Sequence, residues 1–184
     1  ATDADGDELP LTAGFTITVE DDLPAPTDET VSGAVQEDAL SPDGNPDALS
    51  DTLVATGTLA SLVSFGADQP GSFALSADKL DALPTLTSNG LAVNYVVVEN
   101  TLYAYTGNGA LDGDGIPTTG TVFTLEVEAD GGYTFTLLDQ LDHEGDLVSG
   151  TGDEQILTLD FSAVIVATDA DGDELPLTAG FTIT

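Results

Sequence analysis

The chain has no cysteine and no arginine, and among its 184 residues there is a single lysine (Lys79) and a single histidine (His143). Without Cys no disulfide can staple the fold, and disulfides carry no information about its compartment. One His without Cys is a poor donor set for zinc. No Ser–His–Asp arrangement and no phosphate-cradling Gly loop can be found, which disfavours an enzyme. Two carboxylates placed for glycoside hydrolysis are the one catalytic arrangement the composition leaves open. No apolar run approaches the roughly 20 residues needed to span a bilayer, and no signal peptide is present.

What the chain does have is acid. Asp and Glu number 34, for a formal charge of −33, yet 41% of the residues are hydrophobic. Such a charge without apolar patterning would mean disorder; with it, the expectation is a folded domain under strong self-repulsion. Nucleic acid and anionic membrane surfaces are disfavoured as partners, and no membrane insertion is expected. Salt bridges cannot relieve the repulsion, so bound cations or high ionic strength must. A uniformly solvated, halophile-like surface is the alternative.

Residues 1–18 (ATDADGDELPLTAGFTIT) recur unchanged as residues 167–184, an offset of 167 − 1 = 166. A period of that length is too long for a solenoid coil and fits a whole domain. The chain therefore reads as slightly more than one unit of a tandem array, an engineered duplication being the other explanation. A unit of this size buries roughly two-thirds of its unfolded surface and needs no covalent staple.

Hydrophobic periodicity is two. Leu91, Val93, Tyr95 and Val97 alternate with their neighbours, and residues 122–127 and 133–137 flank Ala129-Asp130-Gly131-Gly132, a hairpin signal. Glu99-Asn100 joins the 91–98 run to residues 101–105 in a second hairpin, and further strands are expected near 30–36, 53–65, 72–75, 156–167 and 180–184. Only residues 76–83 look helical, stopped by Pro84. The fold class is all-β, an antiparallel immunoglobulin-like β-sandwich with one short helical turn. Acids followed by Pro24 and Pro26 mark a linker. Residues 1–22 are thus expected to be the last strand and linker of a preceding repeat, and residues 23–184 the complete domain.

Asp3, Asp5 and Asp7 alternate around Gly6, and Asp169, Asp171 and Asp173 repeat the pattern around Gly172. Ca²⁺ takes six to eight oxygens, which a curled loop supplies from alternate positions. The motif is neither an EF-hand loop nor a glycine-rich nonapeptide repeat. A solvated Asx turn is the plain alternative. The 169–174 loop precedes the last strand and should sit where the chain enters the sandwich. Glu20, Asp21 and Asp22 of the linker could then share ions with it, locking the hinge between units. Asp3, Asp5 and Asp7 would lie at the far end of the preceding unit's last strand, lacking half their partners. Glu37 and Asp38, after the first strand, are weaker candidates for the same end of the sandwich, and Asp112 and Asp114 for one further ion. Asp43, Asp47 and Asp51 read as solvated, and Asp139, Asp142, His143 and Glu144 as a strand-end turn. The four tyrosines read as core or cross-strand partners, not as a sugar platform.

Several segments, in order, carry a resemblance. They are Ser64–Asp68 to Gly71–Phe73, Leu86–Gly90, Val122–Leu125, Tyr133–Leu138 through Leu141-Asp142-His143, Ala167–Asp173, and the closing Phe15–Pro24. Together they resemble the repeat domains of giant bacterial adhesins exported by type I secretion, the RTX adhesins and biofilm-associated proteins. The linker Val19–Pro26 is also similar to the acidic linkers of cadherins. The loop 110–119 departs from the adhesin pattern. The resemblance implies an extracellular, cell-surface extender: immunoglobulin-like repeats rigidified by Ca²⁺ that project a ligand-binding tip, with neighbouring repeats of the same chain as partners. A module that itself contacts a glycan or surface is the competing function. Isolated, the chain is expected to be monomeric or swapped through residues 1–22.

Overall fold

A computed structural model describes residues 1–184 except 11, 13, 42–51, 108–109 and 144–154. Asp43, Asp47, Asp51 and Glu144 lie outside the described residues. The strands are β1 (Ala25–Pro26), β2 (Val31–Gly33), β3 (Val54–Thr58), β4 (Val63–Ser64), β5 (Ser72–Leu75), β6 (Thr87–Ser88), β7 (Leu91–Val98), β8 (Thr101–Thr106), β9 (Thr121–Val127), β10 (Gly132–Leu137), β11 (Leu159–Asp160), β12 (Ile165–Thr168), β13 (Glu174–Pro176) and β14 (Phe181–Ile183). The fold is all-β and sandwich-like. One layer is a six-stranded sheet in the order β3-β10-β9-β8-β7-β6, and the facing strands form two three-stranded sheets, β11-β14-β2 and β13-β12-β5.

Turn chemistry sets the large sheet. The β9–β10 hairpin closes where Gly131 takes φ +88°, a conformation open to glycine at no steric cost, so that Tyr133 pairs with Val127. The β7–β8 hairpin closes through Glu99 at φ +53°, pairing Val98 with Thr101. Asn89-Gly90 closes a third hairpin, with both residues at positive φ between Ser88 and Leu91, the geometry a two-residue type I′ loop demands. The predicted helical turn is a 3-10 helix, Ala77–Ala82, and three shorter 3-10 turns break the strands around residues 37–39, 60–62 and 162–164.

Alternation then fills the core. In β10 Tyr133, Phe135 and Leu137 are buried while Thr134 and Thr136 are not. Phe123 and Phe135 from the large sheet meet Phe161 from the opposite layer at centroid distances of 5.8 and 5.9 Å, and Tyr133 meets Phe181 at 4.7 Å. Aromatic contacts of this kind add to the burial that holds the layers together.

The last strand differs from a purely antiparallel arrangement. β14 pairs antiparallel with β11 but parallel with β2, in the register Phe181–Val31, Thr182–Ser32, Ile183–Gly33. Phe181 and Ile183 are 0% and 1% exposed, whereas their identical counterparts Phe15 and Ile17 are 88% and 75% exposed. The sequence is the same; among the described residues only the second copy has partner strands.

Candidate metal centre

The loop 169–173 is closed by its own backbone. The Asp169 N–H donates to the Asp173 carbonyl at 3.1 Å, and the Asp173 and Gly172 N–H groups donate to Asp169 Oδ1 at 2.8 and 3.1 Å. Gly172 sits at φ +108°, where a side chain would be strained. The first copy builds the same turn: Asp3 N–H to the Asp7 carbonyl at 3.1 Å, Asp7 N–H to Asp3 Oδ1 at 3.0 Å, Gly6 at φ +97°. The loop is therefore encoded locally, since it forms with and without a sandwich behind it.

Tertiary structure separates the two copies. Asp3, Asp5 and Asp7 are all exposed, their carboxylate oxygens within 4.8 Å of one another. Asp169 is only 6% exposed, and its Oδ2 is buried with no hydrogen-bond partner. Around it the linker is folded back, so that carboxylate oxygens of Asp21, Asp171 and Asp173 lie within 4.8 Å of one another. Asp22 Oδ2 accepts the Ala67 N–H at 2.7 Å, and the Asp68 carbonyl accepts the Ala170 N–H at 3.0 Å. Gly66 makes the first of these possible: it has φ +57°, and a Cβ there would run into the Asp22 carboxylate. The 66–68 turn thus clamps linker and acidic loop together.

Electrostatics follow from this crowding. A hydrogen bond shared with Asp169, reinforced by burial and by the charges of Asp21, Asp169 and Asp68, pushes the Asp171 carboxyl up to about 6. Burial and the hydrogen bond to Asp21 raise Asp173 as well. Burial alone would raise Asp169, but the hydrogen bonds it accepts from Asp173, Asp171 and Gly172 hold it below the ordinary carboxylate value. Like charges packed this closely disfavour joint ionisation unless a cation compensates them.

The donor set suits one kind of group. All the converging side-chain donors are carboxylate oxygens, the ligands of a hard cation such as Ca²⁺, and the orphaned Asp169 Oδ2 is a buried acceptor still lacking a partner.

The other acids fall elsewhere. Glu20 is exposed in the linker. Glu37 and Asp38 do not join this end of the sandwich. Because β2 runs parallel to β14, the chain leaves it beside Thr184, and Glu37 Oε1 there accepts the Leu141 N–H at 2.6 Å and lies 3.4 Å from His143 Nε2. Asp112 turns its carboxylate onto the Asp114 and Ile116 N–H groups, each at 2.9 Å, which makes the 112–115 segment a self-capped turn. Asp142 accepts the Gly90 N–H at 2.8 Å and holds the Asn89-Gly90 hairpin. The contribution of residues 66–68 was not read from the sequence; Gly66 followed by Asp68 is the only local signal, and it is shared by many ordinary turns.

Comparisons with family models, curated proteins and solved structures found no match to this chain.

Proposed function

We propose that this chain is a non-catalytic, Ca²⁺-stabilised structural repeat, a spacer whose acidic linker is locked to the domain it enters by a bound cation. The observation that carries the reading is the meeting of linker and loop: a carboxylate oxygen of Asp21 lies within 4.8 Å of those of Asp171 and Asp173, in the loop that the buried Asp169 closes. Asp21, Asp169, Asp171 and Asp173 would hold the ion, which supplies the positive charge that the protein itself lacks. In tandem, each linker fixed in this way turns a flexible joint into a stiff one and lets a long array project whatever lies at its tip. The sequence resemblance to extender repeats of secreted bacterial surface adhesins agrees with that role. On this reading the partners are neighbouring repeats, and residues 1–22 close the preceding one.

The test is calorimetry of the chain and small-angle scattering of two tandem units, each with Ca²⁺ and with chelator. Ca²⁺ should raise the melting temperature, by an amount that grows with its free concentration as ligand linkage requires, and should lengthen the two-unit particle. Asp169→Asn should lower the Ca²⁺ affinity by about tenfold or more. Melting temperature and maximum dimension both indifferent to chelation would sink the mechanism.

A further inference from the structure

At the opposite end of the sandwich from the acidic loop, the two layers part around a cavity of about 570 Å³. Val35, Leu137, Leu141, Leu157, Leu159 and Ile183 supply its apolar wall, and Thr184 lies at its margin. Gln36, Glu37, Asp38, His143 and Gln155 line the rest, and among the described residues no side chain fills the apolar part.

The register of β14 says what the occupant is. Along β2 and its extension, Val31, Gly33 and Val35 are half-buried while Ser32 and Ala34 are exposed. The parallel partner alternates in step: Phe181 opposite Val31 and Ile183 opposite Gly33 are buried. The ladder continues to Thr184, whose N–H donates to the Gly33 carbonyl at 3.0 Å and whose carbonyl accepts the Val35 N–H at 2.9 Å. One residue further, strand alternation turns the side chain back toward the cavity, beside Val35.

The repeat names that residue. Thr18 is the counterpart of Thr184, and Thr18 is followed by Val19, an apolar side chain that stands 87% exposed. We infer that Val19 of the following linker seats in the part of this cavity beside Val35: the closing strand of each unit runs one residue past Thr184, and the valine that opens the linker caps the apolar core of the unit behind it. The linker would then be anchored at both ends, by Val19 in the core of one unit and by Asp21 and Asp22 on the loops of the next. This rests on the tandem-array part of the proposed function and not on its metal site.

The experiment extends the full chain at Thr184 by Val-Glu-Asp-Asp or, as control, by Asp-Glu-Asp-Asp, with both proteins kept in chelator. Burying one valine should raise the melting temperature of the first over the second by roughly 3 °C or more. The methyl resonances of Val35, Leu137 and Ile183 should shift with the valine tail alone. Equal melting temperatures with unmoved methyl resonances would overturn the inference. So would a difference that appears only when Ca²⁺ is added, because the tail would then act through its acids. A Ca²⁺ effect on the unextended chain is measured separately, so failure of the metal site and failure of the valine seat give different results.

Discussion

At the scale of the residue, the decisive carboxylates are those whose protonation the fold has shifted. Asp171 is pushed up to about 6 and Asp173 is raised. An acid whose folded pKa lies above its unfolded value stabilises the fold when protonated and ceases to do so as the pH rises through the folded value. Between pH 4 and 6, therefore, the metal-free chain should lose stability as the pH rises. In chelator the melting temperature should fall across that window, and Asp171→Asn should flatten the fall. A slope unchanged by the substitution would place the pH dependence in the general charge of the surface and not in this loop. Saturating Ca²⁺ should reverse the trend, because a bound cation favours the ionised carboxylates.

At the scale of the element, the acidic loop and the 66–68 turn do different work. The loop folds by itself, as its two copies show, with Asp3 and Asp169 each accepting the N–H four residues on. The 66–68 turn supplies what the loop cannot encode, a dock for the linker through the Ala67 N–H and a tie to the loop through the Asp68 carbonyl. Gly66→Ala would strain a positive-φ position and drive a methyl into the Asp22 carboxylate. The variant should keep the sandwich, with an unchanged β spectrum by circular dichroism, but lose affinity for Ca²⁺ and lower the melting temperature by a few degrees. Unchanged Ca²⁺ affinity would remove this turn from the site. The same local-versus-tertiary division explains which strands could be read in advance. β7 to β10 show alternation and turn residues within one stretch of sequence. β1, β6 and β13, two or three residues long, were not read and are defined by their partners, whereas β11 and β14 fall within the runs expected near 156–167 and 180–184. The Asn89-Gly90 hairpin was not read from the sequence, although that dipeptide is among the strongest short-range hairpin signals.

At the scale of the whole molecule, 34 acids and one lysine leave almost no internal counterion. His143, beside Glu37, is the one basic side chain among the described residues in an ion-pair geometry. Monovalent salt should stabilise the chelated chain by shortening the screening length, from about 30 Å at 0.01 M to about 8 Å at 0.15 M. Ca²⁺ at millimolar concentration should stabilise it beyond NaCl of equal ionic strength, as measured by melting temperature. Equal effects at matched ionic strength would mean that screening suffices and that no specific cation site operates.

The sequence by itself determined the all-β class, the period of 166 residues, the central hairpins and the acidic loop, because each rests on local alternation, turn chemistry or plain identity. It also placed the linker acids Glu20, Asp21 and Asp22 with the loop, by the argument that linker and last strand meet where the chain enters, and of these Asp21 converges on Asp171 and Asp173. Only the tertiary structure decided which copy of the loop acquires a buried carboxylate, since Asp3 and Asp169 have the same neighbours in sequence and differ only in what packs around them. Only the tertiary structure moved Glu37 and Asp38 to the other end, because the parallel pairing of β2 with β14 is a contact between residues about 150 positions apart, and no local pattern specifies its direction.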